Sequence, residues 1–239
     1  MNSLYPNYSL ESYQPDNQHH FINKDYPGLQ CIHENPYIFI INDFFNSDEC
    51  DHIISLVPHL KLGKSPSRVR QDKSALVDYK SRKCQTTSIY KNNPIFPELF
   101  PYREKIMNLT NVTEEQLEVM NISRYLNGDY FIPHNDAYSP DNWAFKQGIC
   151  NTEYSNRVVT VLIYLNEVDE GGETRFNDLN LDIKPKKGMA LIFFPGNLPN
   201  DLNPGKPSEN VTHEGRQPIN CEKWILQQWC WSGPLLKYR

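Results

Sequence analysis

No stretch of this chain approaches the roughly 18 consecutive apolar residues that a membrane-crossing helix needs, and Met1 to Glu11 lacks the basic start and apolar run of a secretory leader. The expectation is a cytoplasmic protein with no membrane partner. Paired cysteine motifs are missing too. The six cysteines, Cys31, Cys50, Cys84, Cys150, Cys221 and Cys230, form no Cys-x-x-Cys, which removes the usual zinc and redox spacings and leaves reduced thiols as the expectation. Positive charge is not in excess. Lysine and arginine number 24 against 29 aspartates and glutamates, a formal net charge of -5, so nothing advertises a phosphate-backbone partner and no nucleic acid is expected. No internal repeat is present. Triplets such as Asn121-Ile-Ser123 and Asn210-Val-Thr212 match a glycan acceptor pattern, but both fall in segments read below as barrel, where a glycan would block folding.

What is present suits one catalytic domain with decorations in 239 residues. Residues 1–34 are rich in Asn, Tyr, Pro, Asp and His without helical or strand period, and read as a flexible extension. A domain over 35–239 follows, with helical support over 43–116 and a core over 117–232. Tyr37 to Ile41 reads as a strand; Ser47 or Asp48 then caps a helix with the stripe Cys50, Ile53, Ile54 and Val57, ended by Pro58. Lys61 to Lys83 is basic and poor in large apolar residues, the composition of an exposed loop that can act as a lid. A second helix is expected over Pro97 to Leu109, with a capping box at Thr113-Glu-Glu-Gln116. Eight strands are then expected: Leu117 to Leu126, Phe131 to Asp136, Arg157 to Glu167, Gly172 to Phe176, Leu181 to Lys184, Gly188 to Phe194, Val211 to Gly215 and Cys221 to Trp231. That count makes the fold mainly β with flanking helices, around a jelly-roll (double-stranded β-helix) core.

His134 and Asp136 stand one residue apart in Phe131-Ile-Pro-His-Asn-Asp136, and the two-residue period of a strand turns both side chains to one face. Alone the pair is weak, because a chance His-x-Asp is common in a chain of this length. The case strengthens with His213 in Thr212-His-Glu-Gly215, which follows a long Pro/Asn/Gly loop and reaches the same pocket only through the fold. Two imidazoles and one carboxylate make a facial set that leaves positions open on an octahedral iron(II). A structural zinc site would want a fourth Cys or His, and none stands beside these three. The other histidines read as exposed or partly packed. Lys223 lies ten residues beyond His213, in a strand where alternation places Lys223, Ile225, Gln227 and Trp229 on one face. A lysine inside an apolar strand calls for an anion, and a ligand carboxylate supplies one.

With these motifs in view, the chain resembles the prolyl 4-hydroxylases. The matching segments are Asp43-Phe-Phe-Asn-Ser-Asp-Glu-Cys50, Arg124-Tyr-Leu-Asn-Gly128, Pro133-His-Asn-Asp136, Arg157 to Asn166, Gly171-Gly-Glu-Thr174, Lys184-Pro-Lys-Lys-Gly188, His213-Glu-Gly and Lys223-Trp224. The resemblance implies Fe(2+) on His134, Asp136 and His213, with 2-oxoglutarate and O2 as co-substrates and L-ascorbate as an auxiliary reductant. It implies that Lys223 binds the far carboxylate of 2-oxoglutarate with help from Tyr125 and Thr174, and that Arg157 and Trp229 touch a peptide substrate, one containing proline. Each of the helpers also admits a plain structural role: Tyr125 and Trp229 as core aromatics, Thr174 as a turn residue. Two departures fall in the family's substrate region, Phe131 where a tyrosine is frequent and Cys84-Gln-Thr-Thr87 where the family often carries Arg-Thr-Ser. They leave open hydroxylation of another carbon, in peptidyl lysine or a small molecule, or a silent barrel that binds proline-rich peptides. Oxidative demethylation of nucleic acid fits the acidic balance poorly.

Overall fold

The computed structural model describes residues 21–59, 62–64, 81–138, 155–198 and 205–235. The chain enters as a hairpin, β1 (Leu29–Glu34) against β2 (Tyr37–Ile41), with Leu29 opposite Ile41 and Glu34 opposite Tyr37. Part of the segment expected as an extension, 1–34, is folded: Ile22, Leu29, Cys31 and Ile32 are buried, and 29–34 is sheet. Residues 1–20 lie outside the described residues.

Helix α1 (Ser47–Leu56) opens one residue before the expected caps. Asn46 Oδ1 accepts from the Glu49 amide at 2.9 Å while Glu49 Oε2 accepts from the Asn46 amide at 2.8 Å, satisfying two amides that the first turn leaves without partners. Its buried stripe is Cys50, Ile53 and Leu56, with Ile54 packed at the margin. Past β3 (Gly63–Lys64), β4 (Arg82–Lys83) and β5 (Gln85–Ile89), helix α2 (Phe96–Thr110) buries Leu99, Tyr102, Ile106 and Leu109 and ends where Asn111 turns left-handed, φ 52°. The capping box at 113–116 is present, with Gln116 Oε1 accepting from the Thr113 amide at 3.0 Å. Of the segment expected as a lid, 61 and 65–80 lie outside the described residues. Its ends are strands, exposed at Gly63, Lys64 and Lys83 but not at Arg82, which is only 9% exposed.

The eight expected strands are all present, their ends shifted by a few residues: β6 (Met120–Tyr125), β7 (Tyr130–His134), β8 (Arg157–Tyr164), β9 (Thr174–Phe176), β10 (Leu181–Ile183), β11 (Ala190–Phe193), β12 (His213–Gly215) and β13 (Lys223–Trp231). They build two sheets, ordered β1-β2-β11-β8-β13-β6-β5-β3 and β10-β9-β12-β7-β4, with the larger sheet backed by the helices, and together they make the jelly roll. Every residue of β8 and β13 is buried, since these central strands are covered on both faces. One apolar cluster joins the sheet to the helices through Cys50, Ile53, Leu99, Ile106 and Leu226. A second lies inside the roll, built on Tyr125, Leu162, Tyr164, Phe176, Phe193 and Ile225. Each such aliphatic or phenylalanine side chain contributes about 1.5–3 kcal/mol by leaving water. Cys31, Cys50, Cys84, Cys221 and Cys230 are free thiols. Among the described residues no helix is long and apolar enough to cross a membrane.

Candidate active site

Antiparallel pairing of β7 with β12 sets His213 directly opposite His134, which is how two histidines far apart in sequence come together. Their ring centroids are 4.3 Å apart. Asp136 follows β7 by two residues and lies between them, Oδ1 at 3.5 Å from His134 Nε2 and Oδ2 at 3.7 Å from His213 Nε2. One ligand atom from each of the three lies within 4.8 Å of the others.

The hydrogen bonds fix which atoms face the centre. His134 Nδ1 lies 2.9 Å from the Ile132 carbonyl and His213 Nδ1 3.0 Å from that of Val211. A carbonyl only accepts, so each Nδ1 carries the hydrogen and each Nε2 presents a lone pair. Those lone pairs confront a carboxylate, and His134 Nε2 is a buried atom without a hydrogen-bond partner. Acceptors facing acceptors are repulsive unless a cation sits among them, so the donor set fits a metal. Burial first, then the neighbouring His134, pushes His213 down to about 4, which keeps its ring neutral and able to ligate. Burial alone would raise Asp136. Its contacts within the site, with His134 first and the Arg157 cation besides, outweigh it and hold the carboxyl well below the ordinary range.

Thr160 was not singled out from the sequence, and it donates to Asp136 Oδ2 at 2.8 Å. It stands opposite Trp229 where β8 pairs with β13, a register no local pattern reveals. Phe131 lies flat on His134, ring centroids 3.5 Å apart and planes 18° apart, so the position that departs from the family's tyrosine forms one wall of the site.

Lys223 heads β13 opposite Tyr125 of β6, and of the four residues expected on one face, Lys223, Ile225 and Gln227 line one narrow cavity with Tyr125, Thr174 and His213, whereas Trp229 is not part of that lining. Lys223 is 2% exposed. It donates to the Gly172 carbonyl at 2.7 Å and stands 5.3 and 5.7 Å from the Tyr164 and Tyr125 ring centres, with no carboxylate in salt-bridge range among the described residues. Burial lowers it to about 7 against the opposing pull of Glu173. Gly172 has φ 71°, and a Cβ there would come within 2.9 Å of Val168, so the turn that offers this carbonyl needs glycine. Thr174 Oγ1 accepts from Tyr164 at 2.8 Å.

Beside the metal centre, the Arg157 guanidinium lies 3.7 Å above the Trp229 ring centre and 4.9 Å from that of Tyr138. It donates twice to Glu118, both at 2.7 Å, and once to the Asp136 carbonyl at 3.1 Å. Trp231 Nε1 donates to the same Glu118 at 2.8 Å. Glu118 is thus a second residue the sequence did not mark. Burial opposes the Arg157 charge, and the Glu118 pair overrides it and raises the group further. Trp229 Nε1 is buried without a partner.

Comparison with known proteins agrees with this geometry. A family model for the 2OG-Fe(II) oxygenase superfamily matches residues 120–231. An Acanthamoeba polyphaga mimivirus protein named "Putative prolyl 4-hydroxylase" is 32% identical over 198 residues, covering 82% of this chain and 75% of that one. This chain belongs to the prolyl 4-hydroxylase family of 2OG-Fe(II) oxygenases. Prolyl 4-hydroxylase 2 of Arabidopsis thaliana is 28% identical over 228 residues, covering 84% of this chain and 69% of its own. Among solved structures, a viral collagen prolyl hydroxylase from Paramecium Bursaria Chlorella virus-1, in complex with 2-oxoglutarate, superposes with a TM-score of 0.58 at 23% identity, covering 82% of this chain and 96% of that one. That likeness shows the shared jelly roll. Membership brings iron(II), 2-oxoglutarate and O2 as the cofactor and co-substrates, with ascorbate typical of the family.

Proposed function

We propose that the protein hydroxylates C4 of a peptidyl proline, while 2-oxoglutarate is oxidatively decarboxylated to succinate and CO2. One oxygen atom of O2 enters the proline and the other enters succinate. The relatives named prolyl 4-hydroxylase support this reading, as does a Trichoplax adhaerens prolyl hydroxylase of the same fold bound to a hypoxia inducible factor peptide fragment.

The observation that carries it is the shared cavity: an ion site of His134, Asp136 and His213 at one end and a buried, unneutralised ammonium at the other. Iron bound there supplies the oxidising chemistry. The chain's own residues do the rest. His134 and His213 bind the metal through Nε2 and Asp136 through its carboxylate, in orientations held by the Ile132 and Val211 carbonyls and by Thr160. Lys223 neutralises the far carboxylate of 2-oxoglutarate, with Tyr125 and Thr174 beside it. Arg157 fixes the main chain at Asp136 and directs its remaining N–H donors, together with Trp229, toward the peptide. An aromatic face suits a polyproline-like ligand, whose rings stack without hydrogen-bond demands. No side-chain nucleophile is needed, because the site's work is to hold the target carbon close and exclude other oxidisable groups.

The test incubates purified protein with iron(II), ascorbate, 2-oxoglutarate and a peptide panel carrying proline-rich, lysine-bearing or control sequences. The expected result is a mass gain of one oxygen on proline, stoichiometric with succinate. Oxygen on lysine, or succinate release indifferent to every peptide, would replace the substrate assignment.

A further inference from the structure

A second buried cation stands beside the same cavity. Arg82 sits in β4 opposite Phe131 of β7, and no salt bridge to a carboxylate satisfies it among the described residues. Its Nη2 donates to Tyr125 Oη at 3.2 Å and to Ser123 Oγ at 3.1 Å, and its Nε is buried without a partner. The guanidinium lies 4.7 Å from the centre of the Phe131 ring, the ring that lies flat on His134. One side chain therefore touches both aromatic walls of the cavity, Tyr125 and Phe131.

Hydrogen-bond direction decides what this contact does. A guanidinium has donors only, so Tyr125 Oη must be the acceptor in the Arg82 bond. The phenolic hydrogen is left to point elsewhere. Its other near neighbour is the Cys84 thiol, a weak acceptor, and burial keeps the phenol protonated. A carboxylate entering the cavity is a far better acceptor for that hydrogen. Arg82 also polarises the hydroxyl it donates to, which strengthens the bond the hydroxyl then gives.

We infer that Arg82 is a positioning residue of the co-substrate pocket: by occupying a lone pair of Tyr125 Oη it commits the hydroxyl hydrogen to the far carboxylate of 2-oxoglutarate. The inference rests on the reading above that Tyr125 lies at that carboxylate. Arg82 itself stays outside the cavity lining and acts through Tyr125, so its loss matters only while the tyrosine hydroxyl is there.

The test is a double-mutant cycle on the full chain, loaded with Mn(II) in place of iron, with 2-oxoglutarate affinity read by calorimetry. Tyr125→Phe and Arg82→Met are each expected to weaken binding about tenfold, the scale of one hydrogen bond to a charged group. The double variant should bind no more weakly than Tyr125→Phe alone. Arg82→Lys, which keeps a donor, should recover part of the loss, and Mn(II) affinity should be unchanged throughout. Should Arg82→Met fail to fold, Arg82→Lys measured with Tyr125 and with Phe at 125 carries the same comparison, its deficit vanishing in the second background. Losses that multiply in the double variant, or an Arg82 variant that binds like the parent while Tyr125→Phe is weakened, would overturn the inference alone. A Tyr125→Phe protein with parental affinity would instead remove the reading of Tyr125 on which it rests.

Discussion

The two ends of the active cavity are built by opposite means. At the metal end every ligand is already held by the protein: both Nδ1 atoms by main-chain carbonyls and the carboxylate by Thr160, with three lone-pair-bearing groups aimed at one point. At the far end Lys223 has a single carbonyl partner and no counter-charge in salt-bridge range among the described residues. One end is an excess of acceptors awaiting a cation, the other an excess of positive charge awaiting an anion. Neither arrangement is stable alone in a buried setting, and a metal with a dicarboxylate satisfies both. The contrast teaches that each end should be separable by mutation from the other.

The sharpest separation is Asp136→Ala, which removes the only anionic ligand. Metal analysis should find iron at background and turnover should vanish, while the far end stays intact. Lys223→Met should do the reverse. Iron content holds, but 2-oxoglutarate binding weakens about 10- to 100-fold, the worth of a charge-assisted bond, as calorimetry would show. If both variants lost iron equally, the two ends would not be independent. Thr160→Val keeps the ligands but frees Asp136, and iron affinity measured against a competing chelator should fall about tenfold with 2-oxoglutarate affinity at constant iron occupancy unchanged.

A smaller effect distinguishes the ends by pH. The Lys223 amine sits at about 7 in the empty cavity, whereas a 2-oxoglutarate carboxylate bound against it, as proposed, would favour its protonated form. Affinity is therefore complete below pH 7 and lost as pH rises through it, about fivefold from pH 7 to pH 8, with a proton taken up on binding. Calorimetry in buffers of different ionisation enthalpy reads that proton directly. In Lys223→Met the slope should disappear. Least of all, Asn46→Ala removes the cap of α1 and should cost about 1 kcal/mol in denaturant unfolding while leaving both ends untouched.

Much of this was legible in the sequence where the geometry is local. The His-x-Asp spacing marked His134 and Asp136 as partners, although Asp136 lies just past the end of β7 and not on a strand face, and the two-residue period of β13 placed Lys223, Ile225 and Gln227 along the cavity. The central strands announced themselves because burial on both faces writes a near-continuous apolar run. What escaped depends on pairing across sheets. Thr160 matters only because β8 meets β13 in a register that sets it opposite Trp229, and Glu118 because the segment leading into β6 brings it to Arg157. Arg82 looked like part of an exposed basic loop, since nothing near it in sequence signals Tyr125 and Phe131 as its neighbours. Short edge strands such as β1 and β4 were missed for a related reason: their polar residues carry no clear alternation, and tertiary pairing alone makes them sheet.

The most direct measurement of the central claim is a crystal structure of the protein with Mn(II) and 2-oxoglutarate, the metal located by its anomalous scattering. The account predicts one metal bound by His134 Nε2, Asp136 and His213 Nε2, and the far carboxylate of 2-oxoglutarate against Lys223 Nζ. A metal held by any other set of side chains, or a 2-oxoglutarate whose far carboxylate lies away from Lys223, would contradict it.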